Sequence, residues 1–230
     1  RTPLMLIKGP AEQLLSNNPN QDTREQLRMI TRNTENLKNL IDQLLELSQL
    51  EAASIPLKAK KENLIDFLRG LTMSFELLAN EKNIYLKFES AEESLITLID
   101  RDKLEKIINN LLSNAFKFTK EGGTISVKVE KKSGDKNEIV VVKISDTGIG
   151  IPDNKLEKIF DRFYQADNSE MKKYSGSGIG LALVKELVEL HKWNISVTSK
   201  ENVGTEFQLI IPAGDYLVND EKYKEAPIVE

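Results

Sequence analysis

Val140-Val-Val-Lys-Ile-Ser-Asp146-Thr-Gly148-Ile-Gly150 is an apolar run that ends on a carboxylate and turns through two glycines. Residues 139–145 read as a strand that delivers Asp146 to the edge of a sheet. Working outward, residues 124–130 alternate as a strand should and are reached through Gly122-Gly123. Residues 133–137, Ser-Gly-Asp-Lys-Asn, turn that strand back into the quoted stretch as a hairpin. Further strands are read at 84–89, 95–99, 194–199 and 205–211, with a short one after Leu57. Helices are read from about residue 63 to 81, from a cap at Asp100 through Asn114, and from about 178 to 190. This order predicts an α+β sandwich: one mixed sheet with helices on one face. No internal repeat is visible.

Ahead of that domain the pattern is helical. Residues 1–17 carry Leu4, Ile7, Ala11, Leu14 and Leu15 on one broad face, and Gly9-Pro10 should weaken or bend the helix. Residues 17–22 form a turn. Asp22 or Thr23 is expected to cap a second helix that ends near Ser54. Leu27, Ile30, Leu37, Ile41 and Leu44 recur at three- and four-residue spacings, and Leu40 and Leu47 widen the stripe. Two helices cannot bury so wide a stripe. A second hairpin from another copy of the chain would close a four-helix bundle; packing on the chain's other domain is the alternative. Ile55-Pro56 marks a hinge. The expected organisation is therefore a dimerising hairpin over 1–55, an α+β domain over 56–212 and a polar tail over 213–230. That tail is a frayed terminus or, preferred here, a linker to another domain.

Composition narrows the possible functions. The 32 Lys and Arg against 36 Asp and Glu give a net charge of −4 with the signs interspersed, so no basic footprint for nucleic acid is present. There is no cysteine and one histidine, which excludes disulfides and zinc or iron sites of the usual kind. No apolar run approaches the roughly 20 residues of a membrane span, and no signal peptide is visible. An intracellular setting is expected.

Three motifs carry candidate chemistry. In Asn110-Leu-Leu-Ser-Asn114-Ala-Phe-Lys117-Phe118, Asn110 and Asn114 share one helix face and Lys117 lies a turn further on. An amide oxygen suits magnesium, and a lysine offers a point charge to phosphates. Surface Asn and Lys at a helix end is the plain alternative. A buried, ionised Asp146 only accepts hydrogen bonds and could recognise the amino group of adenine. An ordinary Asp-Gly turn fits the same residues. Gly176-Ser-Gly178-Ile-Gly180-Leu181 opens a helix with backbone N–H groups exposed, a phosphate site in form. It does not follow a strand, so the dinucleotide fold is rejected. The preceding residues 152–175 read as a mobile lid anchored by Phe160 and Phe163 of Phe-Asp-Arg-Phe.

Taken in this order, the blocks at 110–118, 146–150, 160–163 and 176–181 resemble the N box, first glycine box, F box and second glycine box of sensor histidine kinases. These belong to the wider group of ATP-binding folds shared with gyrase, MutL and the Hsp90 chaperones. Gly204-Thr205 resembles the third glycine element, and Arg1-Thr2-Pro3-Leu4 resembles the tail of the phospho-acceptor motif His-Glu-Leu-Arg-Thr-Pro-Leu. The resemblance implies an acceptor histidine three residues before Arg1, outside this chain. It implies that ATP and Mg²⁺ are bound, with Asn114 on the metal, Asn110 and Lys117 on phosphates, Phe118 near adenine and Asp146 on its amino group. Gly148, Gly150, Gly176, Ser177, Gly178, Ile179, Gly180, Leu181 and Thr205 would shape the pocket, Phe160 and Phe163 the lid, and Lys172 and Lys173 would reach phosphates from it. Thr2 would help position water for dephosphorylating a partner. The implied partners are a second copy of this chain through 1–55 and a response-regulator receiver domain, fused or separate, within a membrane-anchored sensor whose kinase portion is cytoplasmic. The hydrolytic relatives place a glutamate base where this chain has Asn110, and an amide cannot act as a general base. That favours transfer to a histidine over hydrolysis, with a non-catalytic ATP-binding module as a further alternative. His191, the only histidine, is read as a structural residue at a helix end. The family usually follows that histidine with glycines; this chain has Lys192-Trp193 instead, which alters the turn and not the nucleotide site.

Overall fold

The computed structural model describes residues 2–17, 19–52, 56–133, 138–165 and 177–213. The chain divides into two compact units, Arg1–Ala52 and Ala53–Glu230.

The first unit is a hairpin of α1 (Thr2–Ser16) and α2 (Gln21–Glu51). Pro10 lies inside α1 without ending it, so the expected weak point at Gly9-Pro10 costs a hydrogen bond but not the helix. The cap of α2 is Asn20, in place of the expected Asp22 or Thr23. Its extended backbone lets Oδ1 accept from Thr23 N at 2.9 Å, while Asp22 falls in the first turn, where its charge suits the helix dipole. The helix stops at Glu51, short of Ser54; residues 53–55 of the expected hinge, Ile55 included, lie outside the described residues. Leu4, Ala11, Leu27 and Leu47 are buried, and Lys8 pairs with Glu35 at 2.5 Å. Leu6, Ile7, Leu14, Ile30, Leu37 and Leu44 stay exposed.

The second unit follows the order β1 (Lys60–Asn63), α3 (Leu64–Met73), α4 (Glu76–Glu81), β2 (Tyr85–Ser90), β3 (Ile96–Ile99), α5 (Arg101–Phe118), β4 (Thr124–Ser133), β5 (Glu138–Asp146), α6 (Asp153–Leu156), α7 (Gly180–Leu190), β6 (Asn194–Lys200) and β7 (Gly204–Pro212). The helix expected over 63–81 is two helices, because the chain turns at Ser74-Phe75. A five-stranded sheet runs β2-β4-β5-β7-β6, parallel between β2 and β4 and antiparallel elsewhere. It is the mixed sheet of the sequence reading. A separate antiparallel pair, β1-β3, was not anticipated.

Register decides what faces the core. One row across β4, β5, β7 and β6 holds Val129, Val142, Leu209 and Ile195, and the next holds Val127, Ile144, Phe207 and Val197. Because side chains alternate with period two, the following row on the same face is Ile125, Asp146, Thr205 and Ser199. Helix α5 meets β5 and α7 meets β6, and their apolar faces, Ile107, Ile108, Leu111 and Leu112 on one and Leu183, Val184 and Leu187 on the other, are buried. The opposite face is polar and carries ion pairs such as Lys128–Glu130 and Lys143–Glu206. Asp146 therefore stands on the helix-covered face, at the end of an apolar column.

Candidate nucleotide site

Four backbone segments converge where β5 ends. Asp146 Oδ1 accepts from Gly148 N at 2.8 Å, and the carboxyl also accepts from the backbone N–H of Thr205. Burial nevertheless dominates and lifts Asp146 from 3.8 to about 6. A carboxyl so placed gains from any further donor. The loop after it leans on the end of α5: Ile149 N donates to Phe118 O at 3.3 Å, and a Cβ at Gly148 would stand 2.5 Å from that same oxygen. On the other side the loop meets the β6–β7 turn. Ile151 N donates to Ser199 Oγ at 2.8 Å, and Asn202 N donates to Ile149 O at 2.7 Å. Ser199 Oγ donates to Gly204 O at 2.8 Å and lies 2.9 Å from Thr205 Oγ1. Gly150, at φ +66, packs on the carbonyl of Lys200. Ser199 and Asn202 thus buttress the loop, and the only sequence signal near them was Gly204-Thr205.

The helix α5 supplies the second wall. It starts at Asp100, as read, with Oδ1 accepting from Lys103 N at 3.2 Å, but runs through Phe118 instead of stopping at Asn114. Asn110, Asn114, Lys117 and Phe118 are then spaced i, i+4, i+7 and i+8 and share a face. Asn110 Nδ2 donates to Lys106 O at 2.8 Å, which turns the amide oxygen outward. That oxygen would lie 2.6 Å from a Cβ at Gly180, so Asn110 and the start of α7 are in direct approach. Asn114 is half-buried. Burial pulls Lys117 below the ordinary lysine range, and its Nζ stands 4.9 Å from the centre of the Phe118 ring.

The third part is the entry to α7, which begins at Gly180, two residues later than read. Ser177 Oγ accepts from Ile179 N at 3.2 Å, Ile179 is buried and Leu181 is half-buried. Gly178, at φ +69, accepts through its carbonyl from Phe163 N at 2.9 Å. The two aromatics expected to anchor the lid therefore behave differently. Phe160 packs edge-on against Phe207 with ring centres 6.3 Å apart. Phe163 is 62% exposed, and it is its backbone, at φ +61, that joins Gly178. Residues 153–156 of the expected irregular stretch form the short α6. Lys172, Lys173 and Gly176 lie outside the described residues, as do the Thr2 side chain and the tail beyond residue 213.

His191 is fully buried. Its Nδ1 donates to Leu187 O at 2.7 Å, and its ring stacks on Trp193 at 4.1 Å. Burial lowers its basicity. It closes α7 and is part of the core, as the sequence suggested.

The family model described as "Histidine kinase-, DNA gyrase B-, and HSP90-like ATPase" matches residues 99–215, and that described as "His Kinase A (phospho-acceptor) domain" matches residues 1–53. The chain belongs to the sensor histidine kinase family. The hybrid signal transduction histidine kinase D of Dictyostelium discoideum is 40% identical over 92% of this chain and 14% of its own length. The sensor histidine kinase WalK of Bacillus subtilis strain 168 is 31% identical over 92% of this chain and 34% of its own length. This chain thus spans about a seventh of the first relative and about a third of the second. Among solved structures, full-length ShkA in complex with AMPPNP aligns at a TM-score of 0.79 and 26% identity, over 94% of this chain and 44% of that one. The α+β domain and the hairpin before it are therefore both those of a histidine kinase. Among the described residues, no helix is long and apolar enough to cross a membrane.

Proposed function

We propose that this chain binds Mg-ATP in the site just described and serves as the kinase core of a sensor histidine kinase. In the full-length protein the γ-phosphoryl group passes to a histidine nitrogen upstream of Arg1, then to an aspartate on a response-regulator receiver. The observation that carries the nucleotide reading is Asp146: a half-buried carboxyl, charged only at a cost, at the end of an apolar column and beside glycine-lined backbone. An exocyclic amino group of adenine supplies the donor it favours.

The residues present fit the group. Asp146 holds the base and the face of Phe118 flanks it. Lys117 and Asn110 meet phosphates, and Lys172 and Lys173 are assigned to phosphates as well. Asn114 would offer a hard amide oxygen to a phosphate-bound magnesium. When bound, Mg-ATP supplies the phosphoryl group and much of the charge neutralisation; this chain contributes positioning and exclusion of water. Asn110, already donating to Lys106 O, cannot take a proton from water, which favours transfer over hydrolysis.

The exposed apolar residues of α1 and α2 favour a dimer closed as a four-helix bundle. Thr2 would serve dephosphorylation of the regulator. The units assigned here are the hairpin 1–55, the ATP-binding domain 56–212 and a linker 213–230, the cytoplasmic part of a membrane-anchored sensor.

The test is incubation with magnesium and ATP radiolabelled at the γ-phosphate, on this chain and on one extended upstream through the expected histidine. Acid-labile, alkali-stable label on the extended chain alone is the expected result. Label on the short chain would indict His191, and free phosphate without label would point to an ATPase.

A further inference from the structure

The last turn of α5 is only partly written in its own sequence. Lys117 suits a helix C-terminus, but Phe116 and Phe118 are weaker helix formers, and Thr119, in extended conformation, is followed by no glycine stop until Gly122. The turn is held from outside, by one corner of the domain. Phe75, just before α4, stacks on the buried Phe116 with ring centres 5.5 Å apart and planes 9° from parallel. Lys82, just after α4, donates from Nζ to Phe116 O at 2.9 Å. That places an ammonium on a carbonyl that the helix itself leaves without an N–H, at the negative end of its dipole. The same corner pins the loop that follows. Asn83, at φ 52, donates from Nδ2 to Glu121 Oε1 at 2.7 Å, and its carbonyl accepts from Gly122 N at 2.8 Å.

We infer that Phe75 and Lys82 are positioning residues for the nucleotide: by extending α5 one turn they keep Lys117 and Phe118 in helical register with Asn110 and Asn114. Only in a continuous helix do these four residues share a face, so that groups meant for phosphate and for base meet one molecule together. Lys82 touches no nucleotide in this scheme. It acts through the Phe116 carbonyl, and its effect ends at Lys117 and Phe118. The inference rests on the nucleotide reading above, and its test separates the two.

The variants are Lys82→Met, which keeps the apolar stem and loses the donor, and Lys82→Arg, which keeps a donor. In Lys82→Met the amides of residues 115–119 should exchange with solvent about tenfold faster, and Mg-ATP should bind about tenfold more weakly, the scale of one lost charge-assisted hydrogen bond. Exchange in β4 and β5 should not change, and Lys82→Arg should resemble wild type. Added to the double change Lys117→Ala and Phe118→Ala, Lys82→Met should weaken binding little further, because the groups it positions are gone. Unchanged exchange at 115–119 overturns the inference. So does a loss that adds in full to that of the Lys117→Ala, Phe118→Ala double change, the sign of general destabilisation. Wild-type protein that binds no ATP overturns the nucleotide reading and the functional half of this one. Wild-type protein that binds ATP, with Lys82→Met binding it equally well, overturns this inference alone.

Discussion

Asp146 and His191 are both displaced from their ordinary ionisation, and in opposite senses. Asp146 is raised from 3.8 to about 6, first by burial, with two backbone N–H groups working against the rise. The folded chain therefore holds the extra proton, and this carboxyl costs stability as pH rises from about 4 through about 6. A bound amino donor offsets that cost by favouring the ionised form. Affinity for adenosine, which has no phosphate to confuse the titration, should rise with pH through about 6, by at most about tenfold per unit. Calorimetric titrations at several pH values check this, and Asp146→Asn should bind weakly and without pH dependence. His191 is lowered by burial, so its contribution is present above its unfolded value and is lost as pH falls below about 6.5. Thermal melts of wild type and His191→Phe at neutral and mildly acid pH should show the wild type losing more. Gly204 is a third kind of residue: φ is +145 and a Cβ there would meet Asp146 O at 2.0 Å. Gly204→Ala should cost about 2–4 kcal/mol, read as a lower denaturant midpoint.

At the scale of elements, the approach of α7 to α5 decides the width of the site. Gly180 opens α7, and Asn110 of α5 faces it with its amide oxygen. Alanine is the better helix former by about 1 kcal/mol, so Gly180→Ala has little reason to destabilise the fold. Its methyl group must push Asn110 aside, since the gap of 2.6 Å is too short for a carbon and an oxygen. Mg-ATP affinity should fall at least tenfold while the melting temperature holds, measured on the same preparation; a loss of both would mean that the helix has moved instead of the amide. Helix starts at Asp100 and the strand alternation were legible because they depend on neighbours in sequence. The C-terminal end of α5 and the break between α3 and α4 were not. They depend on Phe75, Lys82 and Ile149, whose contacts with α5 come from elsewhere in the chain.

At the scale of the molecule, the hairpin leaves Leu37 and Leu44 exposed on α2, although both lie on the stripe that the sequence marks as buried. Burial by the second hairpin of the proposed dimer would resolve the conflict, since a patch of that extent is unusual on a free surface. Changing Leu37 and Leu44 to Glu should give monomers in sedimentation velocity while the second unit keeps its adenine-nucleotide affinity. A dimer that survives both changes would count against the bundle.

The sequence by itself determined the order of elements, the amphipathic hairpin and the small set of residues from which the site is made. Each of these follows from local spacing: a 3.6-residue period, a two-residue period, or a glycine or aspartate where the chain must turn. The tertiary structure decided what local spacing cannot express. It placed Asp146 on the apolar face through a register shared with Thr205 and Ile125, so that a carboxylate became a desolvated one. It set Phe160 edge-on against Phe207 and left Phe163 in solvent, although both stand in one short motif. It brought Ser199, Asn202 and Lys82 to the site's supports from strands and turns remote in sequence. Burial and hydrogen-bond partnership are properties of the folded neighbourhood, and no reading of residues in order contains them.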